Sequence, residues 1–550
     1  MSPPSNDPPS APPRSLADRL RARPGALRAG IALGAVLTPL LVAEGVARAL
    51  FPETPELRAE VEFVGRSLNY LQPCFRRVGG ALIETNAGLP GTSRARWIRR
   101  ARTPGLARVA VIGESSAEQL GESLGVLGAR LPCGRRVEVL NCAIPGSGLE
   151  HLQRRFDEVM RESPDVVVVT FGHNLRFMLP TDSTRLWARR LRYPSRLLTR
   201  LGGLFDRAPR DGNAPLAGRL AQFESFLRRA AGETRARRVG LVVSTMPSNL
   251  WMPPSSMPAE RSAPARLDAR FVEATVGARA AAEALPPATG PGDPASLDFE
   301  RGVLYARAGD LAAARDGLQR ALERDSFAMR ASARVNELIR RVAAQEGVVL
   351  RDTDEAIAAA APQRLSGWES FQDNCHLLPA RIDQEALEVL TLARPSLGLP
   401  ASCVPARPAR TRDDRDLSSL LRQLGGLPSE QAALWYDAVS LRVERRMPVD
   451  PSGATREVER YLRETPTPPP EALVALAEGF ARAGRGAEAR ALNARARALR
   501  SADAWVQLAL FELRARSVGP ARAALQQALA IDPQRADARR FLARLAAASP

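Results

Sequence analysis

Five short apolar runs recur in the middle of the chain, and they fall at residues 108–113, 137–140, 165–171, 239–244 and 347–350. Between the early runs, apolar residues at three- and four-residue spacing predict a helix over Leu149–Arg161. Buried strands that alternate with amphipathic helices are typical of a parallel sheet covered on both faces. The pattern therefore predicts an α/β fold, a three-layer α/β/α sandwich with a five-stranded parallel sheet.

Two other regions have helical patterning. Between the fourth and fifth runs, residues 298–325 carry small and apolar side chains at the spacing of a tetratricopeptide repeat, a helix–turn–helix of about 34 residues. After residue 416 two further segments fit this spacing, and the second includes Trp505 and Pro533. The sequence predicts an all-α tetratricopeptide-like C-terminal region, with a generic antiparallel helix pair as the alternative.

These patterns divide the chain into six segments. We expect a disordered cytoplasmic tail, a transmembrane anchor or signal segment, a connecting segment, an α/β domain, a linker and the helical region, at 1–26, 27–51, 52–104, 105–400, 401–415 and 416–550. The α/β domain would contain the helical insertion, at about 253–345.

The segment from Leu27 to Phe51 is the candidate membrane segment. Its uncharged core, Ala29–Ala43, has 15 residues, so it reaches a membrane span only with its ends included. Arginines precede it, and the positive-inside rule then leaves the N-terminus in the cytoplasm. The alternative is a cleaved signal peptide, because Ala47-Arg48-Ala49 is an A-x-A pattern. Both interpretations predict that the main chain is periplasmic or extracytoplasmic. The anchor interpretation further predicts a single-pass protein of the bacterial inner membrane.

Charge alone would suggest an anionic polymer as partner, since the formal net charge is +18. All 78 basic residues are arginine, however, and they are spread along a chain with only 5% aromatic residues. The exclusive use of arginine indicates a coding bias. Binding of single-stranded nucleic acid, in contrast, requires basic residues interleaved with aromatic ones, and this chain does not show that pattern. We therefore expect no nucleic-acid partner.

Residues with catalytic potential follow four of the predicted strands. Ser115 follows the first run, Gly146 the second, Asn174 the third, and Asp373 and His376 the fifth. A serine after a buried strand can act as a nucleophile, and a glycine and an asparagine can donate to an oxyanion. Each also has a structural interpretation, such as a tight turn, an Asx turn or a surface ion pair.

The chain has three histidines, and only His376 has an acid three residues before it. At that spacing a carboxylate can bond one ring nitrogen and leave the other basic. His151 lies near a helix start, and His173 lies in a strand-end loop that could line a pocket.

The four blocks resemble those of the SGNH/GDSL hydrolase family over roughly residues 105–395. Their order along the chain is strand–G-x-S, N-x-x-x-x-G, G-x-N and D-x-x-H. The resemblance implies that Ser115 is the nucleophile, His376 the general base and Asp373 its orienting partner. Gly146 and Asn174 would form the oxyanion hole with the Ser115 N–H. No metal or cofactor is implied.

The chain departs from the family pattern at two positions. Glu114 stands where the first block usually has an aspartate, and Leu175 stands where aspartate usually follows Asn174. Both departures bear on substrate preference more than on proton transfer. Ser116 competes with Ser115 as nucleophile, but the block pattern favours Ser115.

The function that the resemblance implies is that of a serine esterase acting on acyl esters of an envelope glycan or lipid. One alternative is an inactive scaffold that binds a protein partner through the helical repeats. Another is an O-acyltransferase, which uses a different acceptor.

The five cysteines have no CxxC pair, and an odd number leaves at least one thiol unpaired in a monomer. Cys142 and Cys375 lie in the second and fourth blocks. We expect the loops of these blocks to converge, and a disulfide between the two cysteines is a hypothesis.

Overall fold

A computed structural model gives the structure of the chain, and it describes residues 24–50, 73–78, 81–84, 97–99, 106–129, 131–176, 195–198, 216–254, 263–288, 294–325, 329–403, 421 and 429–547. The chain forms two compact units. One comprises residues 1–71 and 180–211, and the other comprises residues 72–179 and 212–550.

The smaller unit contains one long helix, α1, over Pro24–Leu50, with Pro39 inside it. The carboxylate of Glu44 on this helix accepts hydrogen bonds from the Ser195 hydroxyl (2.6 Å) and the Leu197 N–H (3.0 Å). Among the described residues, none of the helices combines the length and the apolar character that crossing a membrane requires. The predicted tail falls mostly outside the described residues.

The larger unit begins with a small antiparallel sheet of three strands in the order β1-β2-β3, at Phe75–Val78, Ala81–Glu84 and Trp97–Arg99. The sequence pattern did not predict these strands, and the connecting segment 52–104 contains them. They have only three or four residues each, too few to give a recognisable alternation.

The second sheet has five parallel strands in the order β5-β4-β6-β7-β8, and they span Leu106–Gly113 (β4), Arg136–Asn141 (β5), Val166–Thr170 (β6), Gly240–Ser244 (β7) and Val349–Arg351 (β8). The prediction of five parallel strands is confirmed. Because β4 lies between β5 and β6, its carboxyl end is the topological switch point, where open parallel sheets bind ligands.

The helices of the larger unit are Ser115–Gly128 (α2), Leu149–Met160 (α3), Leu216–Ala236 (α4), Ala263–Thr275 (α5), Ala278–Ala284 (α6), Pro294–Arg307 (α7), Leu311–Arg324 (α8), Ala333–Glu346 (α9), Thr353–Ala360 (α10), Pro379–Ala393 (α11), Ser429–Arg446 (α12), Pro451–Glu464 (α13), Pro470–Arg482 (α14), Gly486–Ala498 (α15), Ala502–Arg514 (α16), Val518–Ile531 (α17) and Ala536–Ala547 (α18). A short 3-10 helix lies at Pro362–Arg364.

Alternating side chains of each strand pack into two different cores. On β4, Ala110 and Ile112 contact the core shared with α3, α4 and α9, whereas Val109 and Val111 contact the core shared with α2 and α11. Successive strand side chains point to opposite faces of a sheet, so an unbroken apolar run covers both faces. Helix α9 lies within the predicted insertion 253–345, yet it packs on the sheet.

Helices α5–α8 of the insertion pack with helices α12–α18 of the C-terminal region, and together they form the helical body. Phe271 on α5 packs on Phe541 of α18, with ring centroids 5.4 Å apart. Within the insertion, Gly302 on α7 lies against Gly317 and Leu318 of α8, and a Cβ at Gly302 would lie 2.8 Å from Leu318. Short turns join successive helices into packed pairs. The tetratricopeptide assignment of these pairs stays a prediction. Of the predicted linker 401–415, only 401–403 is described.

Candidate active site

The switch point of the sheet carries Ser115. Strand β4 ends at Gly113, whose φ is +148°, and a Cβ there would lie 1.9 Å from the Thr170 carbonyl oxygen on β6. Only glycine fits this close approach of two strands. Two residues later Ser115 begins α2. The first N–H groups of a helix have no partner within it, so the Ser115 N–H can donate at the sheet edge.

Three of the predicted site residues lie in one hydrogen-bonded line. His376 Nε2 is 2.6 Å from Ser115 Oγ, and His376 Nδ1 is 2.7 Å from Asp373 Oδ2. With the proton on Nδ1, the ring donates to the carboxylate and accepts from the serine hydroxyl. This arrangement can remove a proton from the serine as the oxygen attacks an electrophile.

Asp373 and His376 each stabilise the charged form of the other. Burial alone would raise the pKa of Asp373, but the His376 ring and the N–H groups of Cys375 and His376 lower it to about 2. Burial alone would lower the pKa of His376, yet the Asp373 carboxylate at 2.7 Å raises it above its usual value. The imidazolium that forms when the ring takes a proton is therefore favoured at this position.

The loop that carries Asp373 and His376 is held from two sides. Asp373 Oδ1 accepts the N–H of Cys375 (3.0 Å), which closes an Asx turn, and it also accepts the N–H of His376 (2.8 Å). Asn249, which follows β7, donates its side-chain amide to the Asp373 carbonyl oxygen (2.9 Å), and Arg330 donates to the Asn249 carbonyl oxygen (3.1 Å). Arg442 of α12 donates to the carbonyl oxygen of Gln372 (3.1 Å), so the helical body also contacts this loop.

Gly146 lies in the loop after β5, and this loop is tied to the end of β4. The Ile144 N–H and the Ser147 hydroxyl both donate to the Gly113 carbonyl oxygen, at 3.0 and 3.2 Å. Gly146 has φ +73°, a left-handed conformation that favours glycine. The loop is therefore anchored two residues before Ser115.

Asn174 lies in the loop after β6, and Glu114 holds that loop. The Glu114 carboxylate accepts N–H groups from Gly172 (3.2 Å), His173 (2.7 Å) and Asn174 (2.8 Å). In the described part of the chain, the Asn174 side-chain amide has no hydrogen bond. The amide can therefore donate to a bound oxygen. Burial raises the pKa of Glu114 to about 7, although the three N–H groups act in the opposite direction.

The other two histidines do not join the Ser115 line. His173 is buried, its Nδ1 accepts the Ala331 N–H (3.0 Å), and burial lowers its pKa to about 3. His173 lines a cavity together with Ser116 and Cys375. His151 is buried on α3, and burial lowers its pKa to about 4. Both rings are therefore neutral at neutral pH.

Two disulfides join distant parts of the larger unit, Cys74–Cys142 and Cys133–Cys403, and Cys375 is a buried free thiol. The hypothesis of a Cys142–Cys375 disulfide was wrong. Cys142, which follows β5, is bonded instead to Cys74, the residue just before β1.

The sequence did not single out Asn249 or Cys74, and it treated Glu114 only as a departure from a pattern. Asn249 stands alone in a Pro-rich segment, where an asparagine is ordinary turn chemistry. The sequence carried one signal for the role of Glu114, namely its position directly before the candidate nucleophile. An acid at the buried end of a strand requires several hydrogen-bond donors around it.

Neither a protein-family model nor a curated protein matches this chain. Among solved structures, a lipase/acylhydrolase from Enterococcus faecalis is 14% identical with a TM-score of 0.25, over 54% of this chain and 98% of that one. The α/β hydrolase LAE5 from the Lake Arreo metagenome is 15% identical with a TM-score of 0.27, over 55% and 97%. An acetylxylan esterase, Axe2 from Geobacillus stearothermophilus, is 14% identical with a TM-score of 0.25, over 55% and 97%.

Proposed function

We propose that this chain is a serine esterase, an acyl hydrolase that acts outside the cytoplasm on acyl esters of an envelope glycan or lipid. The observation that carries the proposal is the position of His376, whose two ring nitrogens contact Ser115 Oγ at 2.6 Å and Asp373 Oδ2 at 2.7 Å. A nucleophile, a base and an orienting acid within hydrogen-bond reach are what acyl transfer to serine requires.

In the proposed reaction, Ser115 Oγ attacks the ester carbonyl carbon while its proton passes to His376 Nε2. The N–H of Ser115, the N–H of Gly146 and the side chain of Asn174 stabilise the oxyanion. His376 then returns the proton to the leaving alcohol, and an acyl-serine remains. Water, activated by the same ring, hydrolyses it. Donors arranged in advance around the oxyanion contribute the largest share of such catalysis.

The two disulfides support action outside the cytoplasm. Disulfides persist in oxidising compartments and are rare in reducing ones. Cys74–Cys142 and Cys133–Cys403 both close long loops, with sequence separations of 68 and 270 residues. Attachment to a membrane through residues 27–51 stays a prediction.

The nucleophile is tested by hydrolysis of short-chain p-nitrophenyl esters by the full chain and by Ser115→Ala. We expect turnover to fall by about 10⁴-fold or more, since loss of a triad member removes nucleophilic catalysis. Ser116→Ala is the matched control, because its hydroxyl is buried next door with no hydrogen-bond partner in the described residues. Equal rates for wild type and Ser115→Ala would exclude the proposal.

A membrane-impermeant fluorophosphonate tests the nucleophile and the compartment together. We expect it to label Ser115 on intact spheroplasts, and to label neither Ser115→Ala nor a heat-denatured sample. Labelling that appears only after permeabilisation would contradict export. If the folded protein takes no label anywhere, the inactive scaffold becomes the better interpretation.

A further inference from the structure

Glu114 is the residue between the glycine that ends β4 and the proposed nucleophile. It is fully buried, with 0% of its surface exposed. No arginine pairs with it in the described part of the chain. Its carboxylate instead accepts the three consecutive N–H groups of Gly172, His173 and Asn174.

We infer that Glu114 is a positioning residue for the oxyanion hole, which fixes the Asn174 loop relative to the Ser115 N–H. The inference rests on the proposed function. Two of the proposed donors belong to different strand-end loops, and Glu114 is covalently joined to one of them and hydrogen-bonded to the other. Its carboxylate thus connects the two donors through a single side chain.

The chemistry of the three bonds explains why an acid occupies this position. Above about pH 7, where Glu114 is ionised, its carboxylate accepts only, and it offers about four lone-pair sites for the three N–H groups. A glutamine offers one oxygen, and its NH₂ group would face an N–H group. Hydrogen bonds to an ionised acceptor are also roughly twice as strong as neutral ones. Glu114→Gln is therefore nearly the same size but cannot hold the loop.

The first experiment measures amide hydrogen exchange in the full chain at about pH 8, above the pKa of Glu114, over a peptide that covers residues 171–175. We expect faster exchange in Glu114→Gln than in wild type. Glu122→Gln on the same helix α2 is the control, because it removes an acid of that helix that does not hold the Asn174 loop and should leave exchange unchanged. Unchanged exchange in Glu114→Gln would overturn the inference. This measurement does not depend on the protein being an esterase.

The second experiment measures ester hydrolysis in a double-variant cycle. We expect Glu114→Gln to lower kcat by about 10- to 100-fold with little change in KM, because the lost interaction matters mainly in the transition state. Asn174→Ala should lower kcat by about 10²- to 10³-fold. In the double variant, Glu114→Gln should cost almost nothing further, since the residue acts through Asn174.

Glu114→Asp distinguishes positioning from filling of space. It keeps an anionic acceptor while removing volume, so it should retain more kcat than Glu114→Gln. Multiplicative losses in the double variant, or higher kcat in Glu114→Gln than in Glu114→Asp, would overturn the inference. If the proposed function is wrong instead, ester hydrolysis will not depend on Ser115, while the exchange difference at residues 171–175 persists.

Discussion

The strand-end loops and the helical body each bury a glutamate, and they hold it in different ways. Glu114 in the loops accepts three backbone N–H groups, and burial raises its pKa to about 7. Glu273 on α5, with 5% of its side chain exposed, pairs with Arg307 and Arg482. Burial would raise the pKa of Glu273 too, but the two arginines lower it.

The difference separates two uses of a buried carboxylate. Arginine pairs keep the acid ionised and join helices that are distant in sequence, because Arg307 lies on α7 and Arg482 on α14. Backbone donors fix one loop and leave the acid close to its titration range. Buried acids whose pKa is perturbed toward neutral pH, as that of Glu114 is, are concentrated at functional sites.

The largest effect is expected at Asp373, the site carboxylate that pairs with an imidazole. Asp373→Asn should lower kcat by about 10⁴-fold, because the amide no longer favours the tautomer with a basic Nε2. Asp352→Asn, after β8 and paired with Arg340, is the control that should retain kcat. A loss of less than about 10-fold in Asp373→Asn would show that Asp373 does not act as the proposed orienting partner of His376.

A second, smaller effect concerns the pH dependence of stability at Glu114. The folded-state pKa is raised from 4.5 to about 7, so the folded protein keeps a proton that the unfolded chain releases. The stabilising contribution is thus complete below about pH 4.5 and is lost by about pH 7. Wild type should lose about 3 kcal/mol relative to Glu114→Gln across that window.

The free energy of unfolding of both proteins, measured by denaturant titration at several pH values, checks this. Among the described residues, the titratable side chains that interact with Glu114 are His376 and Cys375, and they are present in both proteins. Their titration therefore largely cancels in the difference. A difference that does not change between pH 4.5 and 7 would contradict the raised pKa of Glu114.

Much of the fold followed from the sequence, because short unbroken apolar runs between amphipathic helices are typical of buried parallel strands. All five parallel strands and the helix from Leu149 were predicted within about two residues of their bounds. The three strands near the N-terminus were missed, since an isolated strand such as Trp97–Arg99 is too short to show alternation. The extent of the insertion was also hard to judge, since a helix on a sheet and a helix in a repeat have similar spacing.

For the candidate site, the sequence predicted contacts between residues of one loop, but it did not predict contacts between different loops. A D-x-x-H sequence predicts its own internal bond, and Asp373 and His376 make it. The partner of Cys142 depends on strand order, which the sequence did not specify. The roles of Glu114 and Asn249 depend on which backbone groups approach them in three dimensions.

The smallest effect is expected at Glu273, where the contrast between the two glutamates can be tested from the structural side. Glu273→Ala should lower the free energy of unfolding by about 2 kcal/mol, less than the roughly 3–5 kcal/mol of a fully broken buried pair. The reason is that Arg307 keeps Glu444 and Arg482 keeps Glu478 as partners. Glu283→Ala is the control, because Glu283 is an exposed residue of α6. Ester hydrolysis by the folded variant should equal that of wild type, and a kcat loss without a stability loss would mean that the helical body acts on the site directly.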